Sequence, residues 1–219
     1  MPNPAVLDDA AARAHLDPGG MGEAVRGLPE QCRDAWQAAR ALELPPDYGE
    51  IDRIVILGMG GSAIAGDVFR RLLARECATP VLNHRHYDLP PYVDERTLLI
   101  ASSFSGDTEE TVSAFRQGLA TPAKKLAVTT GGQLLTAARA NGLPAFVFSF
   151  RGEPRAAFGY GLMPLLAVAE ALGLTQGIER DVDEAISAME ALRSRIGEEV
   201  PREELVARVL GDCRKLAGA

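Results

Sequence analysis

The sequence predicts an α/β fold: a three-layer αβα sandwich around a five-stranded parallel sheet, with additional N- and C-terminal helices. Three observations carry this. Five short runs, at 54–57, 79–83, 97–102, 125–129 and 145–149, are separated by loops and helix-patterned stretches, as strands joined by crossovers are. Runs such as Ile54-Val55-Ile56-Leu57 are apolar without alternation, the mark of strands buried on both faces. Turns rich in glycine or serine follow the first, third and fourth runs.

Each element has its own reason. Residues 1–20 are polar or small, with Pro2, Pro4, Pro18, Gly19 and Gly20, and read as a flexible arm with a helical turn near 7–15. The stretch 21–42 is helical. Gly22 and Gly27 weaken its first part, and Pro29 suits the first turn of a firmer helix. Met21, Val25, Leu28, Cys32 and Trp36 recur at helical spacing as an apolar stripe, and Trp36 is expected to pack on the sheet unit or a second subunit. Pro45 and Pro46 close this region. The first strand then leads into a helix over 62–76. Pro80 gives the second strand an edge position or a later start, and the absence of proline from the other four agrees with central places. Beyond Phe150 the pattern is all helical. The stretch 156–172 is apolar enough for a packed or interface helix, 181–196 is amphipathic, and Pro201 opens a last helix through Leu216. The expected organisation is an arm (1–20), a helical segment (21–50), a Rossmann-like sheet domain (51–175) and linker-like helices (176–219).

The chain has 219 residues, 24% charged and 47% hydrophobic, an ordinary globular mix. A net charge of −7 without a basic block argues against nucleic acid as the main partner. Cys32, Cys77 and Cys213 are far apart and lack metal or redox spacing, which suits free thiols in a reducing compartment. Neither a signal-peptide pattern nor an apolar run of membrane-spanning length is evident, so the expectation is cytoplasmic, without a membrane partner.

The chemistry concentrates at the ends of two strands. Gly58-Met59-Gly60-Gly61 lets backbone approach a ligand, and Ser62 follows near a helix N-terminus, an arrangement suited to phosphate. Gly58, Gly60 and Ala63 also fit a loose dinucleotide fingerprint, but His84 and Arg85 stand where an acidic residue for the ribose belongs. A turn without a ligand stays open. Ser103, Ser105 and Thr108 offer three hydroxyls around Gly106, either for phosphate or merely to cap the next helix. No G-x-S-x-G elbow is present, so the serines read as binders rather than nucleophiles. The loop 129–132 either approaches the sugar or simply turns. Arg151 and Arg155 suit a phosphate or a polarised carbonyl oxygen, with a salt bridge or helix start as the plainer alternative. Asp107 would repel a dianion and is expected to point away. His84 and His86 lack companions for a metal site.

Taken together, VILGMGGSAIAGD, SSFSGDTEET, VTTGGQL and RGEPRAAFGYGLMPLL resemble the N-terminal half of bacterial and archaeal bifunctional phosphoglucose/phosphomannose isomerases, of the sugar isomerase (SIS) superfamily, over roughly residues 15–219. The resemblance implies two SIS domains per chain, dimerisation, and a phosphorylated hexose bound between domains. Gly61, Ser62, Ser103, Ser105 and Thr108 would hold the phosphate. Arg155 looks like the arginine that assists isomerisation of glucose 6-phosphate or mannose 6-phosphate to fructose 6-phosphate through a cis-enediol. That reaction needs no metal or nicotinamide, so no cofactor is expected. Asp107 stands where the family usually has Asn, and Ala65 where it has Gly. The segments expected to carry the second domain's catalytic glutamate and histidine have no counterpart. The chain is therefore expected to supply the phosphate-binding half of an isomerase, as a truncated chain or a natural half with a partner. The alternative is a non-catalytic sugar-phosphate-binding or regulatory SIS module.

Overall fold

A computed structural model describes Val6 and residues 8–206. Five parallel strands form one sheet: β1 (Arg53–Leu57), β2 (Val81–His84), β3 (Thr97–Ser103), β4 (Lys124–Thr129) and β5 (Ala145–Val147), in the order β2-β1-β3-β4-β5. The helices are α1 (Ala10–Leu16), α2 (Met21–Arg26), α3 (Leu28–Arg40), α4 (Gly60–Leu73), α5 (Glu109–Leu119), α6 (Gly132–Ala140), α7 (Phe158–Ala171) and α8 (Ile178–Ile196).

The apolar runs are explained by burial on both faces. Ile54, Ile56, Leu98, Ile100, Leu126 and Val128 pack under α3, α4, α7 and α8. Their sequence neighbours Val55, Leu57, Leu99, Ala101 and Ala127 pack under α5 and α6, against Phe115 and Leu134. Each such large side chain contributes roughly 1.5–3 kcal/mol by leaving water. The fold is thus the expected αβα sandwich.

β2 begins at Val81, just after Pro80, and lies at one edge of the sheet, so both expectations for Pro80 meet. The central place expected for every proline-free strand is corrected for β5. It is three residues long, follows Pro144 and forms the other edge, because an open sheet has two ends. Residues 85–96 join β2 to β3 without a helix and lie on α5, where Gln117 Nε2 donates to Tyr87 O at 2.8 Å.

The stripe expected along 21–42 is also corrected. Gly27 separates α2 from α3, so the helical phase is not carried across, and Val25 is 64% exposed. The buried face of α3 is Cys32, Ala35, Trp36 and Ala39, packed with α7 in the larger core. Helix α7 is buried from Leu162 to Ala169 within the chain, so it is the packed helix of the two kinds its composition allowed. It approaches its neighbours closely: a Cβ on Gly161 would lie 3.0 Å from Ala65 Cβ. Tyr48 pins the helical region to the sheet, its hydroxyl donating to Lys125 O at 2.6 Å and accepting from Lys125 N at 3.1 Å.

Helix α1 is capped by Asp9, whose carboxylate accepts from Ala11 and Ala12 N at 2.9 and 3.1 Å. The backbone is helical again at 202–206. The remainder of the helix expected through Leu216, Cys213, and residues 1–5 and 7 of the arm lie outside the described residues. Among the described residues no helix is long and apolar enough to cross a membrane.

Candidate functional site

The strand order places the site. β1 and β3 are neighbours, but the helices that follow them leave to opposite faces, α4 to one and α5 to the other. The loops at their carboxyl ends therefore diverge and leave a crevice, where open α/β sheets bind ligands. Gly58 runs close against β3: a Cβ there would stand 3.1 Å from Ser102 O.

Both loops bring hydroxyls to that crevice. Ser62, in the first turn of α4, accepts from Phe104 N at 3.2 Å and ties the two loops together. Ser103, 1% exposed, accepts from Gly106 N at 3.1 Å, and its Oγ lies 2.9 Å from Thr108 Oγ1. Thr108 is the N-cap residue of α5, yet it makes no side-chain capping bond. Met59, at the N-cap of α4, has no capping side-chain bond either. The capping explanation thus fails for Thr108, and two helix N-termini face the rim without a side-chain cap. Ser105 stands apart from this pairing. It is exposed, and its hydroxyl accepts from Asp107 N at 3.2 Å within a local turn.

The loop after β4 supports the loop after β3. Thr130 donates to Phe104 O from both N, at 3.0 Å, and Oγ1, at 2.7 Å, and Leu134 N donates to Gly106 O at 2.9 Å. Gly106 has φ +75°, and a Cβ there would sit 2.6 Å from Gly131 C and 2.8 Å from Thr129 Oγ1. The loop 129–132 thus braces the loop after β3. Asp107 turns its carboxylate to the start of α6 and accepts from Gln133 N at 3.0 Å, where the helix dipole favours negative charge.

Arg155 lies in a 3₁₀ turn, Pro154–Ala156, packed on the first turn of α4. A Cβ on Gly61 would meet Arg155 Cα and N at 3.1 Å, so a larger residue would push this turn away. The backbones of Gly61 and Arg155 therefore join Ser62, Ser103 and Thr108 in one region. The Arg155 side chain is exposed and lies 3.4 Å from Glu153. Arg151 is exposed as well. Phe104, Phe148, Phe150 and Tyr160 connect the β3 loop to the start of α7, with Phe148 and Tyr160 stacked at 4.9 Å. Burial pushes the Tyr160 phenol up.

Sequence reasoning missed Gln31. This α3 residue is 5% exposed; its Nε2 donates to Ala156 O at 3.0 Å and its Oε1 accepts from Gly159 N at 2.6 Å. A polar residue between Pro29 and Cys32 carries no local signal of partners more than a hundred residues away. His84 borders the glycine loop, its carbonyl accepting from Gly58 N at 3.3 Å. Its ring rests on Asp88 O, and Arg85 pairs with Asp67 of α4. A cavity of about 570 Å³ lies between α3 and α8, lined by Arg33, Trp36, Arg40 and Glu179, away from the loop rim.

No family model matches the chain. A bifunctional phosphoglucose/phosphomannose isomerase of Caldicellulosiruptor bescii is 40% identical over 190 residues, covering 87% of this chain and 56% of the relative. This chain matches one SIS domain of that family. The isomerase of the same description from Thermoplasma volcanium is 36% identical over 70% of this chain and 50% of its own length. The SIS chain thus spans about half the length of the curated relatives it matches. A solved structure described as a hypothetical protein of Thermus thermophilus shares the fold, with a TM-score of 0.65 at 24% identity over 91% of this chain and 50% of the other. These relationships put the SIS domain in the phosphosugar-isomerase superfamily.

Proposed function

We propose that this SIS domain binds the phosphate of a phosphorylated hexose on Gly61, Ser62, Ser103, Ser105 and Thr108. It would supply that half of an isomerase interconverting glucose 6-phosphate or mannose 6-phosphate with fructose 6-phosphate. The observation that carries the reading is the Ser103–Thr108 pair: a buried hydroxyl holding an N-cap hydroxyl off its own helix, beside the serine that joins both loops. Hydroxyls and helix N–H groups accommodate a dianion without a counter-charge of their own to desolvate. Arg155 would steady the developing enediolate oxygen.

Isomerisation also needs a base within about 3 Å of the proton it moves. Of the candidates Glu109, Glu110, Glu153 and His84, Glu109 accepts from the Tyr87 hydroxyl, Glu153 faces Arg155 and His84 contacts Asp88 O. Glu109 and Glu110 both start α5, which would be the phosphate end rather than the carbonyl end of the sugar. The base would come from a second SIS domain or a second copy of the chain. The same observation favours a second reading, a sugar-phosphate-binding module without turnover. Titration with fructose 6-phosphate should show binding that free fructose does not match, weakened about fivefold or more by Thr108→Ala. Equal binding of the two sugars sinks the phosphate reading. A coupled assay on this chain alone should show negligible turnover under the half-enzyme reading. Addition of a domain carrying the base restores turnover in that reading and leaves the binding-module reading inactive.

A further inference from the structure

We infer that Gln31 is a positioning residue for Arg155, setting where the guanidinium meets a bound hexose phosphate. The inference rests on the reading of Arg155 proposed above.

Helix α7 starts without a cap of its own. Ala157, its N-cap residue, has no side chain able to serve. Gln31 replaces the missing cap from a different helix, 128 residues away, by accepting from Gly159 N. Its other amide atom donates to Ala156 O, the last carbonyl of the turn that contains Arg155. One buried, neutral side chain thus satisfies a donor and an acceptor that are separated by the entry into α7. A carboxylate would lose the donor and set a negative charge against a carbonyl. A hydrocarbon would lose both bonds and leave buried peptide groups unpaired.

The clamp has little slack. A Cβ on Gly159 would stand 2.9 Å from Gln31 Oε1 and 3.1 Å from Cys32 N, so α7 starts directly against α3. On its other side the same turn lies against Gly61 of α4. Arg155 is therefore held by its backbone between Gln31 and the proposed phosphate loop, while its side chain remains 70% exposed and able to reach a ligand. Both bonds are to main chain, so Gln31 controls where the arginine starts and not what it pairs with.

The test compares two ligands on four proteins by protein-observed NMR titration: wild type, Gln31→Met, Arg155→Ala and the double variant. Inorganic phosphate reports the hydroxyl loops, and fructose 6-phosphate reports the loops plus the arginine. Gln31→Met should weaken fructose 6-phosphate about fivefold, as Arg155→Ala does, while phosphate affinity stays within about twofold. The double variant should bind no more weakly than Arg155→Ala, because the two changes remove one interaction. Unchanged fructose 6-phosphate affinity in Gln31→Met overturns the inference, as do losses that multiply in the double variant. Equal loss of both ligands overturns it too, since Gln31 would then serve the whole rim. An Arg155→Ala protein with wild-type affinity for fructose 6-phosphate refutes the role of Arg155 itself, a separate and recognisable failure. If Gln31→Met does not fold, Gln31→Glu is judged by the same criteria, together with the ligand-induced shift of the Arg155 Nε–H resonance, which should be smaller than in wild type.

Discussion

Gly106→Ala should be among the most damaging single-methyl additions to this protein. Two costs combine. Gly106 sits at φ +75°, where an L side chain costs about 1 kcal/mol. Its new Cβ would also stand 2.6 Å from Gly131 C, a backbone atom with no rotamer to yield. The loop 129–132 must move, and that strains the two backbone bonds from Thr130 N to Phe104 O and from Leu134 N to Gly106 O, each worth about 1 kcal/mol net. The total is about 3 kcal/mol. For a chain of this size that corresponds to a fall of about 6–12 °C in Tm. Gly49→Ala is the control, since a Cβ there meets nothing within 4 Å and its φ is not in the left-handed range. It should change stability by less than about 0.5 kcal/mol. Urea unfolding followed by circular dichroism measures both. Because the strained loop presents Ser105 and Thr108, Gly106→Ala should also weaken phosphate binding. A Gly106→Ala protein within about 1 kcal/mol of wild type, on the scale of ordinary surface changes, would refute the reasoning that these two loops interlock.

Two further outcomes are expected. Tyr48→Phe strands the buried N–H and C=O of Lys125 and should cost about 2 kcal/mol in urea unfolding, whereas a near-neutral change would show that the hydroxyl is dispensable. The hydrogen bond from Arg193 holds the Glu30 carboxyl below its ordinary 4.5, so its contribution is complete above that pH and is lost as pH falls through the folded value. The stability gap between wild type and Glu30→Gln should therefore narrow below pH 4.5, and a gap independent of pH would contradict the pairing.

Much of the fold was legible because burial on both faces writes itself into local sequence. Ile54 to Leu57 and Leu98 to Ala101 have no polar side to display, so they read as central strands wherever they occur. Pro80 delays β2 for an equally local reason: it cannot donate to a ladder. The composition of the loops, with Gly61, Ser62, Ser103, Ser105 and Thr108, was visible too, since turn glycines and helix-start hydroxyls lie close together in the chain. What only the tertiary structure decided were relations between distant segments. Apolarity told that α7 is covered but not by what, and the cover is α3 and α4 of its own chain. A helical period marked Val25 for a stripe, but Gly27 broke the phase. Three hydroxyls around a glycine looked alike, yet folding buried Ser103 against Thr108 and left Ser105 exposed. Gln31 was silent because hydrogen-bond partners 125 and 128 residues away leave no periodic trace: the pairing exists only once α3 and α7 are packed together.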